Sequence, residues 1–225
     1  MTTELLRSKS ILAVFLILSM LCLGHVPLVS AASPPEPVRK IGQRWDEVTY
    51  HWPKKQRAHG LTKLLKQIRS LKQTYPAQPE ILIWEAITLV TRAGIAPGLT
   101  ILSDLDTARD LLLQSIELEP TALDGAAYLT LACLYYKAPG WPLSFGDQVK
   151  AEHYFQKALA LNPNGIESNY YYGHFLSKTG RIQEALAHWQ KTASLPPDPD
   201  QPYLSLRLRE KAHKKLSKLV AQSKY

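Results

Sequence analysis

From residue 41 onward, apolar side chains return at steps of three and four, the repeat of a helix with a buried face. Ile41, Trp45, Val48 and Trp52 form the first stripe, on a short helix that Pro53 stops. Leu61, Leu64, Leu65, Ile68 and Leu71 form a second. Lys63, Lys66, Arg69 and Lys72 take its other faces as a solvated surface, and it ends near Tyr75-Pro76. From Pro79 a third helix is nearly all apolar (Ile81, Leu82, Ile83, Trp84, Ala86, Ile87, Leu89, Val90), which predicts burial on most sides until Gly94 closes it. Asp104 or Asp106 offers an N-cap for a helix carrying Ala108, Leu112 and Ser115. Further helices are predicted from about Leu123 to Tyr136, from an Asp147 cap through Ala151–Leu161, over Tyr170–Lys178 and Ile182–Ala193, and from Leu204 to about Ser223.

Helix-terminal prolines fall at Pro76, Pro120, Pro163 and Pro197, at intervals of 44, 43 and 34 residues. The last interval equals the period of the tetratricopeptide repeat, a helix–turn–helix unit. The final unit carries that repeat's signature at Tyr172-Gly173, Leu176, Ala185, Trp189 and Pro197. Ala151, Phe155, Ala158 and Pro163 match its second helix one unit earlier, and Ala108, Leu112, Ser115 and Pro120 match it more loosely. The two longer intervals each contain an inserted tripeptide, Ala96-Pro97-Gly98 and Ala138-Pro139-Gly140. The fold class is therefore all-α: a tetratricopeptide-repeat helical solenoid with loop insertions between helices.

Residues 134–161 (LYYKAPGWPLSFGDQVKAEHYFQKALAL), followed by Asn162-Pro163-Asn164-Gly165-Ile166 and Asn169-Tyr170-Tyr171-Tyr172-Gly173, resemble a group of exported bacterial tetratricopeptide-repeat proteins. That group is similar to the T component associated with TRAP-type solute transporters. The resemblance runs from about Pro79 to Pro197 and departs from the expected pattern at Ala132, where glycine is usual. It implies an all-helical periplasmic protein without catalysis. For the transporter-associated members it also implies an apolar cavity and a solute-binding partner.

The start of the chain adds export. Arg7 and Lys9 precede an uncharged 13-residue run, Ile11–Leu23, and small residues follow at Ser30-Ala31-Ala32-Ser33. These are the parts of a secretory leader, and the run is short for the roughly 20 apolar residues of a membrane span. The organisation expected is a signal peptide over 1–31, a proline-rich linker and short helix over 32–54, repeats over 55–200, and a basic capping helix over 201–225. The location expected is periplasmic or secreted, the alternative being an inner-membrane anchor through an uncleaved leader. Loss of Cys22 with the leader leaves Cys133 alone, so packing rather than a disulfide holds the fold. The net charge of +8 favours acidic surfaces but is too dispersed to argue for nucleic acid.

In such a stack the first helix of each pair lines the concave face. Its outward steps are read as Ile83, Ile87 and Val90, then Leu131, Leu134 and Tyr135, then Tyr170 and His174. This set predicts an apolar groove for a protein or peptide partner, or for a hydrophobic small molecule. The other reading has the inserted loops folded over the groove and these side chains as core. Trp141 and Phe145 in the second insertion either dock on the body or meet a partner. The terminal helix, with Leu208, Ala212, Leu216 and Leu219 on one face and lysines and arginines elsewhere, caps the stack or touches an anionic membrane. Nucleophile-elbow, zincin, P-loop and paired-cysteine motifs are absent. His174 and His188 sit on the two helices of one repeat but lack a third ligand. No catalytic residue, metal or cofactor is expected.

Overall fold

The computed structural model describes residues 34–95, 98 and 101–222, with side chains as far as residue 218. The leader expected over 1–31 lies outside the described residues. Among those described, the architecture is all-helical: α1 (Glu36–Asp46), a π-helical turn (Glu47–His51), α2 (Lys54–Thr74), α3 (Pro79–Ile95), α4 (Ile101–Leu118), a 3-10 turn (Ala122–Gly125), α5 (Ala126–Lys137), α6 (Gln148–Leu161), α7 (Ile166–Lys178), α8 (Ile182–Ser194) and α9 (Pro202–Gln222).

Consecutive helices pack as antiparallel pairs, α3 on α4, α5 on α6 and α7 on α8, and α9 lies on α8. The spacing of small and large residues explains the closeness. Ala151, Phe155 and Ala158 of α6 are all buried, and the Phe155 ring meets Tyr172 and Phe175 of α7 at 5.5 Å each. In the last pair Gly173 faces the indole of Trp189, where a Cβ would fall 2.8 Å from Nε1; that nitrogen donates to the Tyr170 carbonyl at 3.3 Å. Only a glycine lets α7 and α8 approach this far.

Local chemistry sets the helix ends, in several places differently from the sequence expectation. Asp147 does cap α6, its Oδ1 accepting from the amides of Val149 and Lys150 at 2.9 and 3.0 Å. Asp104 does not cap α4. The helix starts at Ile101, and Asp104 in its first turn pairs with Arg92 of α3 at 2.8 Å. Within the segment expected as linker and short helix over 32–54, helix begins as early as Glu36, with Pro37 in its first turn, where a missing amide costs nothing. The basic face of α2 is only partly solvated. Arg69 and Lys72 grip the buried carboxylate of Glu85 on α3 at 2.9 and 3.1 Å.

The lead-in helix decides the shape of the site. α1 packs across α3 and reaches α9 at the far end of the stack. At Gly42 a Cβ would stand 2.5 Å from Trp84 of α3, so a larger residue would lift the helix. At its C-terminal end the Asp46 carboxylate accepts from the amides of Tyr203 and Leu204 at 2.9 and 2.8 Å, capping α9 across 157 and 158 residues of sequence. His51 stacks on Tyr203 at 5.0 Å and Gln43 donates to Asp200 at 3.2 Å. The first and last helices of the array are thus joined.

Candidate functional site: a roofed groove and an exposed loop

The first helices of the three pairs, α3, α5 and α7, stand side by side, as a solenoid requires. Their common face does not open to solvent as a long trough. α1 lies over part of it, and the segment before α9 borders one end, leaving a partly open cavity of about 970 Å³. That volume is at the upper end for a small-molecule site. The cover is therefore the lead-in helix. The inserted loop at 138–147 contributes only Ala138 to the wall.

The structure places the expected groove residues in three groups. Ile87, Val90 and Leu134 line the cavity. Ile83, Leu131, Tyr135 and Tyr170 are buried and do not line it: Ile83 and Leu131 are fully enclosed, and Tyr135 stacks on Tyr154 at 5.6 Å. His174 faces Tyr136 at 6.1 Å, also away from the cavity. Burial, together with Lys215, Lys137, Lys178 and Lys211, holds its imidazole below the ordinary value. His188 turns elsewhere, onto Asn169 at 2.9 Å and the Tyr172 ring, so the two histidines do not form a site. Among the described residues no cluster of three potential metal ligands exists.

The remaining wall differs from the sequence expectation: it is mainly apolar, with polar groups set into it. Glu80, Thr91, Thr130, Cys133, Lys137, Glu167 and Tyr171 interrupt the apolar surface, at helical steps along α3, α5 and α7. Cys133, Glu167 and Tyr171 are partly accessible but enclosed by protein, because what they face is the cavity. Burial pushes the Cys133 thiol up to about 12 and raises Tyr171 well above the usual phenol value. Tyr50, from the π turn, is raised to about 12 by burial and by the neighbouring Asp46. Glu167 is raised by burial, then by Asp198 and Asp46. The 3-10 turn also reaches the wall, with Leu123 and Asp124 both held at positive φ, 48° and 53°. Left-handed backbone at non-glycine residues is strained and concentrates where a site over-determines it.

The second insertion divides its two aromatic residues. Its base is held by the Gly146 amide donating to Pro139 at 2.8 Å and the Asp147 amide donating to Tyr135 at 2.9 Å. Phe145 docks, edge-on to Tyr135 at 5.3 Å and under the Arg109 guanidinium at 4.6 Å. Trp141 does not dock: it is 91% exposed, with Leu143 at 72% and Val149, in the first turn of α6, at 81%. On α9, Leu204, Leu208 and Ala212 are buried, as a capping helix requires, and Lys211 and Lys215 lie over the rings of Tyr170 and Trp189. The side chain of Leu219 lies outside the description. No described helix is long and apolar enough to cross a membrane.

One comparison with known proteins bears on this architecture. The tetratricopeptide repeat pattern matches residues 154–187, which span the second half of α6, all of α7 and the start of α8. The crystal structure of MamA overlaps 76% of this chain and 96% of its own, at 20% identity and a TM-score of 0.45, too loose an overlap to carry any argument about fold or function. No curated protein matches the chain. The protein is an all-α helical solenoid containing a tetratricopeptide repeat.

Proposed function

We propose that the protein is a non-catalytic adaptor of the cell envelope that works by contact with another protein. The observation that carries this reading is the exposed apolar set of Trp141 and Leu143, on a loop whose base is fixed, and Val149 in the helix turn that follows it. Large apolar side chains in water mark a contact surface, and Trp is among the strongest anchors of protein interfaces. The fixed base keeps the ordering cost of association small. Export rests on the leader-like start of the sequence. N-terminal sequencing of envelope-fraction protein should find the mature chain beginning at Ala32 or Ser33.

The test is a photo-crosslinking residue placed at position 141, with the same residue at exposed Lys55 as control. A protein adduct from 141 alone, lost in Val149→Asp, is the expected result. Binding to anionic vesicles that disappears in Trp141→Ala would assign the surface to a membrane instead. A second reading, a carrier of a hydrophobic small ligand, is favoured by the roofed cavity between the first helices.

A further inference from the structure

Acids outnumber bases on the cavity wall: Glu36, Glu80, Asp124, Glu167, Asp198 and Asp200 against Arg39, Lys40 and Lys137, and Lys40 is already paired with Glu36. Glu167 faces the cavity, and the charged groups that act on it, Asp198 and Asp46, share its sign. None of the ion pairs among the described residues includes it. On α3, Oε2 of Glu80, another wall residue, is shielded from solvent and accepts no hydrogen bond. A buried carboxylate without a counter-charge is costly to keep ionised, and a shielded acceptor without a donor is costly too.

Aromatic rings share this cavity wall with the acids. Trp45 meets Trp84 at 5.9 Å and Tyr50 at 5.8 Å, and all three line the cavity with Tyr171. The Tyr171 ring already carries an ammonium group, since Lys137 Nζ stands 5.8 Å from its centroid at the exposed rim. Aromatic faces attract ammonium groups, more strongly where water is excluded. An anion would find cations only in Arg39, Lys40 and Lys137, and beside Glu167 it would meet Asp198 and Asp46. An uncharged apolar ligand would leave Glu167 without a partner.

We propose that the cavity binds an organic cation, an ammonium group on an apolar tail, with Glu167 as its counter-ion and the rings of Trp45, Tyr50, Trp84 and Tyr171 as its walls. This site is separate from the Trp141 surface and does not rest on it. The groups acting on Glu167 are Asp46 of α1, Tyr50 of the π turn, Tyr171 one turn on in α7 and Asp198 before α9, while Arg207 of α9 acts on the Tyr50 hydroxyl. Burial and the two neighbouring acids favour the protonated Glu167, whereas a bound ammonium favours the ionised form. Affinity for the cation therefore rises with pH as Glu167 loses its proton.

The experiment is titration calorimetry of the full chain with octylammonium chloride, against octanol and octanoate as tail-matched probes, between about pH 5 and 8, where the amine stays charged. Octylammonium should bind about tenfold or more tightly than octanol, and octanoate more weakly still. Glu167→Gln should remove that advantage and leave octanol unaffected. Should the variant fold poorly, the pH series on the unaltered chain decides. Equal affinity for octylammonium and octanol, an affinity that does not rise with pH, or no octylammonium binding at millimolar concentration would overturn the proposal.

Discussion

Leu131 and Ile87 both belong to an apolar stripe that the sequence alone reads as groove, yet the structure gives them different surroundings. Leu131 is fully buried in the core between helices, whereas Ile87 is half-buried in the cavity wall. Leu131→Ala removes three carbons from a closed environment. At about 0.8 kcal/mol per methylene the transfer loss is about 2.4 kcal/mol. The void left behind adds a further ~1 kcal/mol or more, for a total of about 3–4 kcal/mol. Ile87→Ala removes as many carbons from a side chain that already faces open space. Little new void forms, and about 1–1.5 kcal/mol is expected. For a chain of this size a kilocalorie moves the melting temperature by about 2–4 °C, so the two variants should melt several degrees apart. Thermal melts followed by circular dichroism, with urea unfolding for the free energies, measure the difference. Equal losses would mean that the assignment of core and wall is wrong.

Three further outcomes are expected. Asp46→Ala strands the part-buried amide of Tyr203 and the buried amide of Leu204 at the start of α9 and should cost about 1–2 kcal/mol in urea unfolding; a loss under about 0.5 kcal/mol would remove Asp46 as a cap. Because its pKa is raised in the folded chain, Glu167 lowers stability as pH climbs above the ordinary glutamate value; Glu167→Gln should thus be more stable than the parent at pH 7, and the gap should shrink as pH falls towards about 4.5. A gap that widens on acidification would contradict the raised pKa. With its thiol at about 12, Cys133 should react with iodoacetamide at pH 8 on the order of a thousandfold slower than a free thiol, read by peptide mapping, and at ordinary speed once unfolded.

The helical repeat was legible because its signals are local. Ala151, Phe155 and Ala158 are buried as their 4-then-3 spacing predicts, Asp147 caps α6, and Gly173 meets Trp189. The facing of the first helices was less legible. α3 and α5 are apolar on most sides, so hydrophobicity cannot say which apolar stripe looks into the cavity and which into the neighbouring helix. A signal was nevertheless present: Thr130, Cys133 and Lys137 on α5, and Glu167 and Tyr171 on α7, stand at helical steps and mark the polar groups of the wall. Asp104 misled because a cap and a partner for Arg92 look alike in sequence. The roof could not be read at all. It depends on contacts across 157 residues, and no periodicity connects Asp46 with Tyr203.

That long contact also fixes how many repeats the protein can have. In an open array each unit touches only its neighbours, so a unit can be gained or lost with the remainder still properly stacked. Here each helix pair adds its own small rotation, and the sum must bring the start of α9 back to the end of α1. Duplicating or deleting one pair would carry Tyr203 and Leu204 away from Asp46 and open the roof over the groove. Unequal recombination, the ordinary route by which repeat proteins change length, would therefore yield chains that stack but do not close. The array measures its own length.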